Sequence, residues 1–272
     1  MVNSPVISVI TPVYKPEKYI DEYFASLQNQ SLHKDLFEVV IILNGPKHPY
    51  LEYINERLKE LSPEVNYRIF YHDKPGICEA ENIGIDEAKG QYVTFIDCDD
   101  YISPKYLEDL YELRNINHII VTDCYWFDDL THNEIPGASA HELFQKFKSR
   151  ELISLYKGRN FLNSAAKKMI PMGMIGNIRF KNVPGMDSLF MFSVAKANAK
   201  FLIAPDTAIY HCRMRNTSVS HRRLPFNRVC AQMFKMLGAV SSTYLKTPLK
   251  YSFIIYLRTM AATVKAAIKS II

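Results

Sequence analysis

Asp97, Asp99 and Asp100, with Cys98 between the first two, put three carboxylates into four consecutive positions. Like charges this close repel and raise one another's pKa, and a bound divalent cation removes the repulsion. Hard oxygen ligands suit Mg2+ or Mn2+, ions that keep open positions for the phosphates of a nucleotide. The same residues also read as an acidic turn whose last Asp helps to start a helix, and the spacing alone leaves both readings open. The run follows Tyr92-Val93-Thr94-Phe95-Ile96, the β-branched and aromatic composition of a buried strand.

The preceding residues supply the frame for that strand. Near-continuous apolar runs over Val6 to Val13, Phe37 to Leu43 and Tyr67 to Tyr71 predict three more strands. Between them, Tyr19, Ile20, Tyr23, Phe24 and Leu27 share one helical face, as do Tyr50, Tyr53, Ile54, Leu58 and Leu61. Ile77, Ala80, Ile83 and Ala88 line a third helix. This alternation predicts an α/β fold with a mostly parallel sheet and helices on both faces. Ligands of such sheets bind beyond the carboxyl ends of the strands.

Those ends carry Thr11-Pro12-Val13-Tyr14, Asn44-Gly45, His72-Asp73-Lys74 and the acidic run. Pro12 and Tyr14 offer an apolar surface for a base, and Asn44 can donate and accept hydrogen bonds at its edge. Lys74 brings a positive charge for phosphate, and the carboxylates hold a cation. Ser103-Pro104 is the expected start of the next helix, whose face is Leu107, Leu110, Tyr111 and Leu113. Asp100 is read as mainly structural, with Asp97 and Asp99 facing the ligand. No Gly-x-Gly-x-x-Gly follows the first strand and no Gly-Lys-Ser/Thr loop occurs, which argues against a dinucleotide dehydrogenase or a P-loop ATPase.

The chain has 272 residues, 48% hydrophobic and 22% charged, enough for one large α/β domain or two closely joined ones. Its five cysteines lack a Cys-x-x-Cys spacing, the pattern of reduced thiols in a cytoplasmic compartment. The start reads straight into a strand without the basic and small-residue pattern of a secretory leader. Charge is divided unevenly. Through Asp206 there are 22 Lys and Arg against 28 acidic residues, net −6; beyond it come 11 Lys and Arg and no acid, net +11. Such asymmetry points to an anionic partner for the C-terminal part.

A series of segments in order resembles the inverting family 2 glycosyltransferases of the GT-A fold. They are Ser8 to Tyr14, Glu38 to Gly45, Glu81-Asn82-Ile83-Gly84-Ile85, Ala88 to Tyr92, Phe95 to Asp100, Arg179-Phe180, Met186 to Phe190 and Tyr210 to Ser220. The resemblance implies a glycosyltransferase domain over residues 1–220, with a nucleotide-sugar half (1–100) and an acceptor half (101–220). It implies a nucleotide-sugar donor, usually a UDP-sugar, and a glycan or lipid-linked acceptor in cell-surface polysaccharide synthesis. Mn2+ or Mg2+ would neutralise the departing diphosphate, with Asp99 as the direct metal ligand and Asp97 near the ribose or a metal-bound water.

Carried over position by position, Asp187 is the base that deprotonates the acceptor hydroxyl. Arg213 and Arg215 fall in a loop able to close over the donor, where planar guanidinium groups suit diphosphate oxygens. His211 stands where some relatives use a further His metal ligand, and also where a ring can pack under the loop. Asn44 takes the place of an Asp that contacts the base, Met186 that of a Glu, and Glu81 that of an Arg. Glu81 is expected to pair with Lys74. Residues 126–175, including Asn163 and Pro171 to Met174, are expected to shape the acceptor pocket. The three replacements also motivate a second reading, a binding or scaffold subunit with an impaired site.

The tail, 221–272, lies outside the resemblance. Lys246, Lys250, Arg258, Lys265 and Lys269 form one basic stripe if a single helix runs through Pro248, beside an apolar face that includes Ile254, Leu257, Val264 and Ile268. The stripe suits an anionic membrane surface on the inner face of the cell membrane, or a helix packed on the domain with a solvated basic face. No nucleic-acid-binding motif accompanies it.

Overall fold

The computed structural model of the chain describes residues 4–135, 139–215 and 225–271. Residues 216–220 of the family-like segment, and the expected boundary at 220/221, lie outside the described residues. The first half alternates as β1 (Ile7–Val13), α1 (Ile20–Gln28), β2 (Phe37–Asn44), α2 (Tyr50–Leu61), β3 (Tyr67–His72), α3 (Ile77–Glu87) and β4 (Tyr92–Phe95). Then follow β5 (Tyr101–Ile102), α4 (Tyr106–Glu112), β6 (His118–Val121), β7 (Asp123–Asp128), β8 (Glu134–Ile135), α5 (Ser139–Phe144), β9 (Leu152–Ser154) and β10 (Lys168–Pro171). The chain continues through α6 (Met172–Ile175), α7 (Met186–Val194), β11 (Lys200–Ile203), β12 (Ile209–Met214), α8 (Phe226–Lys246) and α9 (Phe253–Ile271).

The central sheet has the order β3-β2-β1-β4-β10-β6-β11-β9. Its β3-β2-β1-β4 part is wholly parallel. Side chains alternate across it: Val9, Val39 and Ile41 face α1 and α2, while Ile10, Val40 and Ile42 face α3. Burial on both faces is why these strands read as unbroken apolar runs. Gly84 lets α3 lie close: a Cβ there would come within 2.3 Å of Ile10 Cγ2. Past β4 the direction changes, because β10 enters antiparallel between β4 and β6. A second sheet, β5-β12-β7-β8, stands beside the carboxyl end of β4.

Two local expectations are corrected. Ser103 does not cap α4; its hydroxyl donates to Thr207 O (2.6 Å) and accepts from Ile209 N (2.9 Å), fastening the β4–α4 connection to β12. The tail is not one helix. α8 ends at Lys246 and a short 3-10 turn at Pro248–Lys250 precedes α9, as expected where proline lacks an N–H and clashes with the preceding turn. The two helices fold back on each other, with Tyr244 and Tyr256 stacked at 4.4 Å. Met236, Val240 and Ile255 are buried in the main core, and Tyr251 stacks on Phe192. Among the described residues, no helix is long and apolar enough to cross a membrane.

Candidate active site

β4 stops at Phe95, and the next turn delivers Asp97, Asp99 and Asp100 with carboxylate oxygens within 4.8 Å of one another. Asp100 is buried and already partnered: it accepts from Tyr210 Oη and from the Arg213 backbone N–H, each at 2.7 Å. It locks the turn to β12, the structural role read for it. Asp97 and Asp99 remain half-buried at the open side. Burial, then the charges of Asp99 and Asp187, push the Asp97 carboxyl up to about 7. Two hard oxygen donors held together against their own repulsion fit a divalent cation.

Asp187 sits in the first turn of α7, after Gly185 in the left-handed region (φ +71). The capping position of α7 is Gly185, and no side chain caps the helix. Burial raises its carboxyl, while Lys168, Lys167 and the Ala165 N–H oppose that rise. Facing it is Glu81 on α3, 5% exposed, with Oε2 lacking any partner. Burial first, then the charges of Asp187 and Asp97, hold Glu81 protonated up to about 10. Met186, in place of an expected carboxylate, packs on α3 with Sδ 3.2 Å from Cys78 Sγ.

The arginines behave differently from each other. Arg215 pairs with Asp99 and lies 4.6 Å above the Tyr19 ring. Arg213 is consumed inside the protein: it donates to Asp99 O (2.7 Å), Asp129 (2.7 Å) and Glu22 (2.9 Å) and covers the Phe127 ring. Its expected role on the diphosphate is corrected to that of a clamp between the acidic turn and β12.

Residues 8–176 match the family model for glycosyl transferase family 2. The chain belongs to this family. It is 28% identical over 249 residues to an uncharacterized glycosyltransferase of Haemophilus influenzae, covering 89% of this chain and 94% of that one. Among solved structures, Staphylococcus aureus TarS 1-349 in complex with UDP-GlcNAc superposes with a TM-score of 0.68 at 21% identity, over 86% of this chain and 66% of that one. A mannosyltransferase of Pyrobaculum calidifontis, solved with GDP-Man and Mn2+, gives a TM-score of 0.55 at 14% identity over 98% of this chain and 76% of that one. These two likenesses show the fold. The chain spans 25% to 34% of three further, longer bacterial relatives.

In this family 2 transferase the nucleotide side also departs from expectation. The Thr11 hydroxyl is hydrogen-bonded to Tyr23 Oη in the core. Asn44 is buried too: its Nδ2 donates to Val13 O (2.9 Å) and its Oδ1 accepts from Gly76 N (3.1 Å). Both residues therefore shape the strand ends from within, and neither presents its polar group at the surface. Tyr14 is 46% exposed and lies against Gly45, whose φ of +97 and lack of Cβ let the ring approach; Pro12 is half-buried beneath. Lys74 is exposed past β3 and forms no pair with Glu81.

His211 is corrected as a metal ligand. Strand alternation sends Tyr210 toward Asp100 and its neighbour His211 to the opposite face, stacked on Tyr101 at 4.4 Å. Burial lowers its pKa to about 4, so the ring is neutral. Three residues that act on or near Asp187, Glu81, Lys167 and Lys168, are not singled out for its chemistry by the sequence. The α3 face read from the sequence, Ile77, Ala80, Ile83 and Ala88, is corrected: Cys78, Ala80, Glu81, Gly84 and Ile85 are buried and Ile77 is half exposed, so that reading hid Glu81 as a buried carboxylate.

Proposed function

We propose that this transferase moves a sugar from a nucleotide-sugar, most simply a UDP-sugar, to a hydroxyl of a glycan or lipid-linked acceptor, with inversion at the anomeric carbon. The observation that carries the reading is the acidic turn, whose carboxylate oxygens gather within 4.8 Å at the end of β4, with Asp187 near enough for its charge to act on Asp97. Asp97 and Asp99 would hold Mg2+ or Mn2+, which when bound supplies positive charge to the leaving diphosphate. Asp187 takes the proton from the acceptor hydroxyl. The acceptor oxygen attacks the anomeric carbon from the face opposite the diphosphate, the bond from that carbon to the diphosphate oxygen breaks, and the nucleoside diphosphate leaves. Tyr14 and Pro12 support the base, and Arg215, beside Asp99, would offer its guanidinium to the diphosphate.

The test is direct. The full chain with Mn2+ and UDP-GlcNAc should unfold several degrees higher than with either alone, because ligand binding to the native state raises apparent stability. It should also release UDP, and EDTA should abolish both effects. Binding without UDP release under any acceptor would favour a non-catalytic binding subunit, and neither effect with any nucleotide-sugar would end the proposal.

Peripheral membrane attachment belongs to the same reading, through the α8–α9 turn rather than a continuous stripe. Leu245, Leu249, Phe253 and Ile254 are exposed there beside Lys246 and Lys250. Each large apolar side chain buried in an interface contributes about 1.5–3 kcal/mol. Leu249→Glu with Phe253→Glu should weaken binding to phosphatidylglycerol vesicles by tenfold or more; wild-type protein that fails to sediment with such vesicles would dispose of the idea.

A further inference from the structure

Beside Asp187 lies a cleft of about 560 Å³, between the segment 160–168, α5 and the end of α9. Five lysines line it, Lys146, Lys167, Lys168, Lys265 and Lys269, against one carboxylate, Glu142. Lys168 is 3% exposed; its amino group donates to Ala166 O at 3.1 Å and has no ion-pair partner among the described residues. Burying an ammonium is costly, and a neighbouring ammonium adds repulsion that Asp187 only partly offsets. Burial and Lys167 accordingly push Lys168 down to about 7. Trp126 on the same wall keeps a buried indole N–H with no acceptor. Lys168 lies within reach of the Asp187 charge, and Lys167 of the charges of Asp97 and Asp100; Lys146, Lys265 and Lys269 are exposed and form no ion pair among the described residues.

The cleft adjoins the reacting centre. Ser188, next to Asp187, donates to Asn163 O at 3.5 Å, and Asn163 lines the cleft. The Ala165 N–H and Lys168 act on Asp187 itself. The volume is within the roughly 300–1,000 Å³ typical of ligand sites. α9 therefore completes this cleft from outside the family-matched residues, bringing Lys265 and Lys269 opposite Lys168.

We propose that this cleft binds the acceptor, and that the acceptor is a phosphate-bearing polyol or glycan whose phosphates sit on the lysines while a hydroxyl reaches Asp187. The inference rests on the transferase reading above and names its acceptor class. A neutral oligosaccharide would leave Lys146, Lys265 and Lys269 without an anion, whereas a chain with repeated phosphates pairs with them at several points.

The experiment compares a synthetic glycerol-phosphate hexamer with maltohexaose, titrated into the full chain by calorimetry and then offered as acceptors with UDP-GlcNAc and Mn2+. The hexamer should bind at least tenfold tighter than maltohexaose and lose affinity as salt rises. Lys265→Glu with Lys269→Glu, both exposed positions, should weaken hexamer binding at least tenfold; Lys168→Met, an apolar side chain of similar length, should weaken it without an unpaired charge being created. Equal binding of the two oligomers, or a charge-reversed variant that binds the hexamer like wild type, overturns the proposal. Loss confined to phosphatidylglycerol vesicles also overturns it, giving the lysines to a membrane. UDP released by wild type to water but never to the hexamer removes the acceptor assignment; no UDP release with any acceptor, despite hexamer binding, counts instead against the transferase reading.

Discussion

Asp187→Asn is expected to lower sugar transfer by about 10³-fold while UDP-sugar and Mn2+ still bind, since a positioned general base contributes roughly 10²–10⁴-fold. The substitution keeps the shape and the oxygen that faces the Ala165 N–H, and removes only the capacity to take a proton. It also removes a negative charge that raises Asp97, so cation binding at Asp97 and Asp99 should be unimpaired. Burial raises the Asp187 carboxyl, so the acid limb of the wild-type pH profile should lie above the ordinary carboxylate range, because the base must be deprotonated to act. Initial rates and nucleotide affinity measured on the same preparation check this. Transfer within a few-fold of wild type would remove Asp187 from the mechanism, and parallel loss of nucleotide binding would make it a donor-site residue.

The parts of this molecule that were legible share a physical character. β1 to β4 are covered on both faces, so their apolar runs are long and stand out from the helices between them. The acidic turn is local in sequence, and its chemistry can be read without knowing the fold. β9, β10 and β11 span only three or four residues each, and the antiparallel entry of β10 depends on contacts far apart in the chain. No periodicity in so short a strand announces its partner.

The site divides in the same way. Thr11, Asn44 and Arg213 lie close to the strand ends and acidic turn named for them, yet their polar groups turn inward to Tyr23, to Val13 and Gly76, and to Asp129 and Glu22. Residue type tells which hydrogen bonds a side chain can make, while its direction is decided by the neighbours that compete for it. His211 is the exception that strand alternation alone could have settled, once Tyr210 is directed at Asp100. The break at Pro248 was equally readable; that α9 would then bring Lys265 and Lys269 to the cleft was not, since it depends on how α8 and α9 dock on the core.

Glu81→Gln is expected to stabilise the metal-free protein at pH 8 by roughly 2–4 kcal/mol, or about 5 °C or more in unfolding temperature, with the gain disappearing toward pH 4.5. The sign follows from the proton. Glu81 ionises near 4.5 in the unfolded chain but keeps its proton up to about 10 when folded. Between those values folding must take up a proton, so the stability present in full below 4.5 is lost progressively as pH rises toward about 10. Glutamine is neutral throughout and removes that dependence while preserving volume. Relaxation and water entry around the ionised side chain set the size of the effect. Unfolding temperatures of both proteins across pH 5 to 9, in EDTA, decide the matter: parallel curves would mean that Glu81 finds a partner and ionises in the fold. Glu81, kept protonated beside Asp97 and Asp187, is a hydrogen-bond donor at the reaction centre, so the same substitution should be followed for donor KM as well as for stability.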